Sequence, residues 1–152
     1  MIWAFMALVA CDSADSWETT DSGLRYSMVR DGDGPSPKND EVMLLHFKYE
    51  DDMGNVMYNT DDLGGPAPVL YNDSLGGEEG NIEDIFHLLS KGDSLLVKMN
   101  AEKLFTNTFR QPLPDSISNE SDITFYIGVE DIMSQDDYNT YRMALAQKMQ
   151  EE

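Results

Sequence analysis

The chain has 152 residues, with 29 acidic side chains against 10 basic ones and a formal net charge of -19. That length suits one globular domain with short extensions, able to bury around two-thirds of its unfolded surface. The charge argues against capture of nucleic acid or anionic lipid, whose phosphates it would repel, and fits a solvated acidic surface.

Residues 2–10 are wholly apolar and end at Cys11, the single cysteine, so no intrachain disulfide is possible. The run is far shorter than the about 20 residues a spanning helix needs, and it reads as a processed signal. Leu8-Val9-Ala10-Cys11 resembles a bacterial lipobox, although no Lys or Arg precedes it. That resemblance implies a lipoprotein signal over residues 1–11 and a lipid on Cys11. Residues 12–20 would be a polar tether. The alternative is a buried, inert thiol.

Gly23 to Val29 alternates and reads as a first strand. Asp31-Gly32-Asp33-Gly34-Pro35-Ser36-Pro37 is a turn cluster; its Asp-x-Asp-Gly lacks the distal acidic ligand of a calcium loop. Val42 to Tyr49 is the clearest strand, with Met43, Leu45, Phe47 and Tyr49 on one face and His46 and Lys48 on the other. Asn55 to Asn59 pairs back after a turn, 61–68 is a loop, and Val69 to Tyr71 is extended. Asn81 is a good N-cap, and Ile82, Ile85, Phe86 and Leu89 form an apolar stripe at helical spacing, ended by Gly92. Leu95, Val97 and Met99 alternate on the next strand, before a bend that presents Phe105. Residues 107–121 form a loop, and Ile123, Phe125, Ile127 and Val129 alternate on a last strand. Ser134 and Asp137 suggest the capping of a terminal helix over 134–152, whose stripe is Tyr138, Tyr141, Leu145 and Met149. These elements predict an α+β domain over 21–133, an antiparallel sheet of about five strands on one short helix.

In element order and spacing, residues 19–133 resemble an FKBP-type peptidyl-prolyl isomerase, most like divergent lipoprotein members from Bacteroidetes-type bacteria. The carriers are Thr20-Asp21-Ser22-Gly23-Leu24-Arg25-Tyr26, His46-Phe47, the run from Ile82 to Gly92, and Ile123-Thr124-Phe125. The resemblance implies a curved sheet wrapped on the helix and an apolar pocket that rotates X-Pro bonds. The twisted amide loses resonance and polarity, so a dry aromatic pocket favours it over the planar ground state. The positions it assigns to catalysis are Phe47, Met57, Tyr58, Ile82, Phe105 and Phe125, with Val69 and Glu79 on the substrate. Several depart from the family pattern. Phe47 and Phe105 lack tyrosine hydroxyls, Ile82 replaces a tryptophan, and Met57-Tyr58 replaces a Phe-Asp pair. Glu78 and Glu79 stand where the family has apolar residues whose backbone N–H anchors substrate. Losing such donors costs ~1–3 kcal/mol each where they are used, enough to lower activity by orders of magnitude.

No cofactor or metal is expected. His46, on the polar sheet face, and His87, beside the helix stripe, lack the neighbours of a catalytic constellation. Two functions follow. The first is a membrane-anchored, weakly active prolyl isomerase that assists folding of exported proteins at the outer membrane or periplasmic face. The second is a non-catalytic binding module of the same fold within a cell-envelope complex. The partners are proline-containing polypeptides or that complex, with no nucleic acid.

Overall fold

The computed structural model describes residues 16–77 and 81–151. Cys11, Glu78 and Glu79 lie outside the described residues. Seven antiparallel strands form one sheet: β1 (Glu18–Thr19), β2 (Arg25–Arg30), β3 (Val42–Glu50), β4 (Val56–Asn59), β5 (Ala67–Leu70), β6 (Ser94–Asn100) and β7 (Asp122–Met133). Their order is β1-β2-β6-β7-β3-β4, with β5 also on β3. Two differences from the expected five strands have simple causes. Glu18–Thr19, placed in the tether by sequence, pairs with Tyr26 and Arg25. The far edge is split, because β5 pairs along Val42–Leu45 and β4 along Lys48–Glu50.

Phe47 falls at that split, where its backbone would lose a partner. The buried Thr60 supplies one: its hydroxyl oxygen accepts from the Phe47 N–H at 3.1 Å and lies 3.3 Å from the Phe47 carbonyl. The sheet edge therefore stays hydrogen-bonded through a side chain. Between β3 and β7 a bulge at Leu44/Leu45 interrupts an otherwise regular register.

One sheet face carries Met43, Leu45, Leu95, Val97, Ile123, Phe125 and Ile127, all buried. Against it pack Ile82, Ile85, Phe86 and Leu89. The Ile82–Leu88 segment is a 3-10 helix rather than an α-helix. Asn81 caps it by accepting from the Glu83 N–H, and i→i+3 bonds close both ends, from Asp84 to Asn81 and from Leu89 to Phe86. Seven residues between a cap and the Gly92 turn leave little room for i→i+4 pairing.

The Asp31–Pro37 cluster is a turn clamped onto the end of this helix. A Cβ on Gly32 would collide with the Lys91 carbonyl oxygen, so glycine is required by close approach. The buried Asp93 carboxylate accepts from the Gly32 N–H at 2.7 Å and the Ser90 N–H at 2.8 Å.

The expected bend after β6 is instead a helix, α1 (Ala101–Asn107), with Asn100 as N-cap accepting from the Lys103 N–H. Ala101, Leu104 and Phe105 are its buried side chains, at helical spacing. The terminal helix α2 (Gln135–Gln150) is capped by Ser134, as the sequence suggests, and buries no side chain completely. Tyr138, Tyr141 and Leu145 face Leu44, Leu63, Pro66 and Pro68 across a groove of about 210 Å³.

Gly128 sits mid-strand in β7 opposite His46 and Ser94, on the face away from the helix. A Cβ there would meet only His46 Cβ at 3.8 Å and Ser94 Oγ at 4.0 Å, ordinary contacts. Gly128→Ala is thus expected to stabilise the fold by about 0.5–1 kcal/mol, roughly 1–4 °C in Tm by calorimetry. An unchanged or lower Tm would mean the backbone there needs glycine.

Candidate functional site

Phe105 is presented by α1, and with Tyr49, Met57, Phe109, Gln111 and Pro114 it lines a half-open cavity of about 390 Å³. Each wall has a local cause. Tyr49 is the last inward residue of β3 and overhangs the sheet end. Met57 comes from β4, paired to β3 through Tyr58 and Tyr49. Phe109 follows α1, whose end is closed by bonds from the Thr108 and Phe109 N–H groups to the Leu104 carbonyl. The Gln111 N–H donates to the Phe105 carbonyl at 2.9 Å, turning the chain so that Pro114 comes alongside.

The rings form a connected ladder. Phe105 and Phe109 meet edge-to-face at 5.1 Å, Phe109 lies 5.8 Å from Tyr49, and Tyr49 lies 4.8 Å from Phe125 and 5.3 Å from Tyr58, stacked at 13°. Such pairs add about 0.5–1.5 kcal/mol each beyond their buried area, so the walls hold their shape. Partial burial raises the Tyr49 phenol above its ordinary pKa, with Tyr58 adding to the effect. The phenol therefore stays neutral at physiological pH and presents a donor.

The expected residues divide into two groups. Met57 and Phe105 line the cavity, and Tyr58 supports its wall through Tyr49. Phe125, directly opposite Tyr49 on the neighbouring strand β7 and 3% exposed, lies beside that ring in the core. Phe47 packs 6.2 Å from Phe86, Ile82 is buried against the sheet, and Val69 pairs with Met43 on β5. The shared hollow expected for Phe47, Ile82, Phe105 and Phe125 is thus not formed by these four together: of them only Phe105 lines this cavity. Four cavity residues escaped assignment from sequence: Tyr49, Phe109, Gln111 and Pro114. Only Tyr49 carried a signal, as the last member of the inward series on its strand.

At the helix mouth, the Ile82 N–H donates to Thr108 Oγ1 at 3.0 Å. That backbone donor is therefore committed within the chain. The histidines are likewise engaged. His87 Nε2–H donates to the Leu75 carbonyl at 2.7 Å, so its Nδ1 accepts from the Tyr71 hydroxyl at 2.9 Å. His46 lies on the outer sheet face, 3.3 Å from Asp61 and 3.7 Å from Glu130. It borders a second hollow of about 300 Å³ with Leu96, Tyr126 and Gly128. Its charged groups are already matched by neighbours (Lys48 lies 3.9 Å from Glu50), and the aromatic ladder is on the opposite face.

No protein-family model matches the chain, and no curated protein matches it in sequence. Solved structures do match. FkpA from Escherichia coli is similar at a TM-score of 0.60 and 19% identity, over 79% of this chain and 53% of that one. A peptidyl-prolyl cis-trans isomerase from Pseudomonas syringae pv. tomato is similar at a TM-score of 0.56 and 12% identity, over 78% of this chain and 81% of that one. The chain spans about half the length of the FkpA chain. At such identities the likeness concerns the fold alone. The chain has an FKBP-like α+β fold.

Proposed function

We propose that this chain is a lipid-anchored FKBP-like protein of the bacterial cell envelope that holds proline-containing segments of exported polypeptides and isomerises them slowly. The observation carrying this reading is the aromatic cavity of Tyr49, Met57, Phe105, Phe109 and Pro114 at the open end of the sheet. It is apolar, preformed and large enough for a prolyl ring with its neighbours. Selective stabilisation of a twisted, less polar amide is the chemistry such a cavity offers. The lipobox-like Leu8 to Cys11 supports the anchor, and with it the proposal of an outer-membrane or periplasmic location. Mass spectrometry of the native N-terminus tests that part, and unmodified residues ahead of Cys11 would refute it.

A second reading, a non-catalytic binding module in an envelope complex, is favoured by one feature. Phe47, Ile82 and Phe125 lie outside the cavity that holds Phe105, so a bound segment meets fewer of the expected walls. A protease-coupled proline-peptide assay on residues 17–152 separates the two. The expected result is a rate above the uncatalysed one, orders of magnitude below that of a typical prolyl isomerase. No acceleration at high protein concentration would leave the binding module standing.

A further inference from the structure

We infer that the aromatic cavity selects proline segments flanked by Lys or Arg over neutral or acidic ones. This rests on the cavity's accepting proline segments at all, and it adds the chemistry of their flanks. The first support is charge complementarity. A net -19 on 152 residues gives a negative field around the whole protein, which concentrates cationic partners and repels acidic ones.

The second support is local. The β3–β4 turn beside Tyr49 carries Asp51 and Asp52, and Asp115 follows the wall residue Pro114. Asp52 accepts from the Ser121 hydroxyl at 3.2 Å, which ties the turn to the segment leading into β7. The Asn55 side chain donates to Asp51 at 2.9 Å and lowers its pKa, so that carboxylate stays ionised in mild acid. Arg110, the base beside Phe109, is already engaged by interactions within the chain.

The third support is the nature of the walls. Rings and a thioether form cation–π and soft apolar contacts with the stems and heads of long basic side chains. On the same hairpin Met53, next to Asp52, is 84% exposed and adds an apolar side chain to the turn. A long basic side chain beside proline would lay its stem on such apolar groups with its charge near Asp51 and Asp52.

Fluorescence anisotropy with the full chain tests this, using labelled peptides of one length: Lys-flanked, neutral and Glu-flanked proline peptides, plus the neutral peptide with Ala replacing Pro. The Lys-flanked peptide should bind at least ~10-fold tighter than the Glu-flanked one at low salt, and the gap should shrink as salt screens the field. Asp52→Asn with Asp115→Asn should narrow the gap further. Equal affinity for Lys- and Glu-flanked peptides overturns this inference and leaves the proline reading intact. If the neutral proline peptide binds no better than its Ala counterpart, the proline reading itself falls.

Discussion

Asp93→Ala is expected to be the most damaging single truncation of a polar side chain, lowering the unfolding free energy by about 2–3 kcal/mol. Asp93 is 2% exposed, and its carboxylate serves two backbone donors, Gly32 N–H and Ser90 N–H. Removing it strands both. Each buried donor without an acceptor costs roughly 1–3 kcal/mol. Gly32 and Ser90 are only partly buried, so water can reach them and the lower part of that range applies. The same residue anchors the start of β6 through its backbone, since the Val129 N–H donates to the Asp93 carbonyl and the Gly92 N–H to that of Val129. Asp93 therefore joins three pieces: its carboxylate holds the Asp31–Pro37 turn to the end of the 3-10 helix, and its backbone carbonyl ties both to β7. Urea unfolding gives the readout. The midpoint should fall with an unchanged slope, because the denatured chain is no more compact. Asp93→Asn, which keeps the shape and one acceptor oxygen, should lose less. Equal midpoints for wild type and Asp93→Ala would show that the turn is held by packing alone.

How far this arrangement is legible in the sequence depends on whether one period governs a segment. Met43, Leu45, Phe47 and Tyr49 alternate, although Val42 and Leu44 between them are apolar and buried too, and Ile123 to Val129 alternate likewise; both strands form as read. The caps at Asn81 and Ser134 are equally plain, since each side chain has one nearby N–H to serve. The segment after β6 hides α1 because two periods overlap there. Leu95, Val97, Met99 and Ala101 continue a strand alternation, while Ala101, Leu104 and Phe105 already follow a helical one. Asn100, able to cap, was the deciding residue. Nothing local marks Thr60 as the partner of Phe47, because the split edge arises only when β4 and β5 are both in place. The site was legible by residue type and less so by depth. A strand pattern tells which ring faces inward. It does not tell which of two neighbouring inward rings, Phe125 or Tyr49, meets the cavity once the loop after α1 is in place.

The second large effect falls on binding. Phe105→Ala is expected to weaken proline-peptide affinity by at least ~10-fold, equivalent to about 1.4 kcal/mol, and to abolish any isomerase rate. The ring is 7% exposed yet stands outside the principal core cluster, with its edge-to-face contact made to Phe109, another cavity wall. Its loss thus removes one wall and frees the second, while Leu104 keeps α1 attached to the core. Phe125→Ala is the instructive contrast. That ring lies within the cluster beside Tyr49, and a buried Phe→Ala change costs about 3–5 kcal/mol. It should fail first in stability, with binding lost only as the fold is lost. Anisotropy measured beside thermal melts separates the two: Phe105→Ala loses less Tm than Phe125→Ala and loses the peptide while still folded, whereas Phe125→Ala loses binding only with the fold. A Phe105→Ala protein that still binds the neutral proline peptide at full affinity would place the ring in a structural role, and the cavity would then have to act through Tyr49 and Met57.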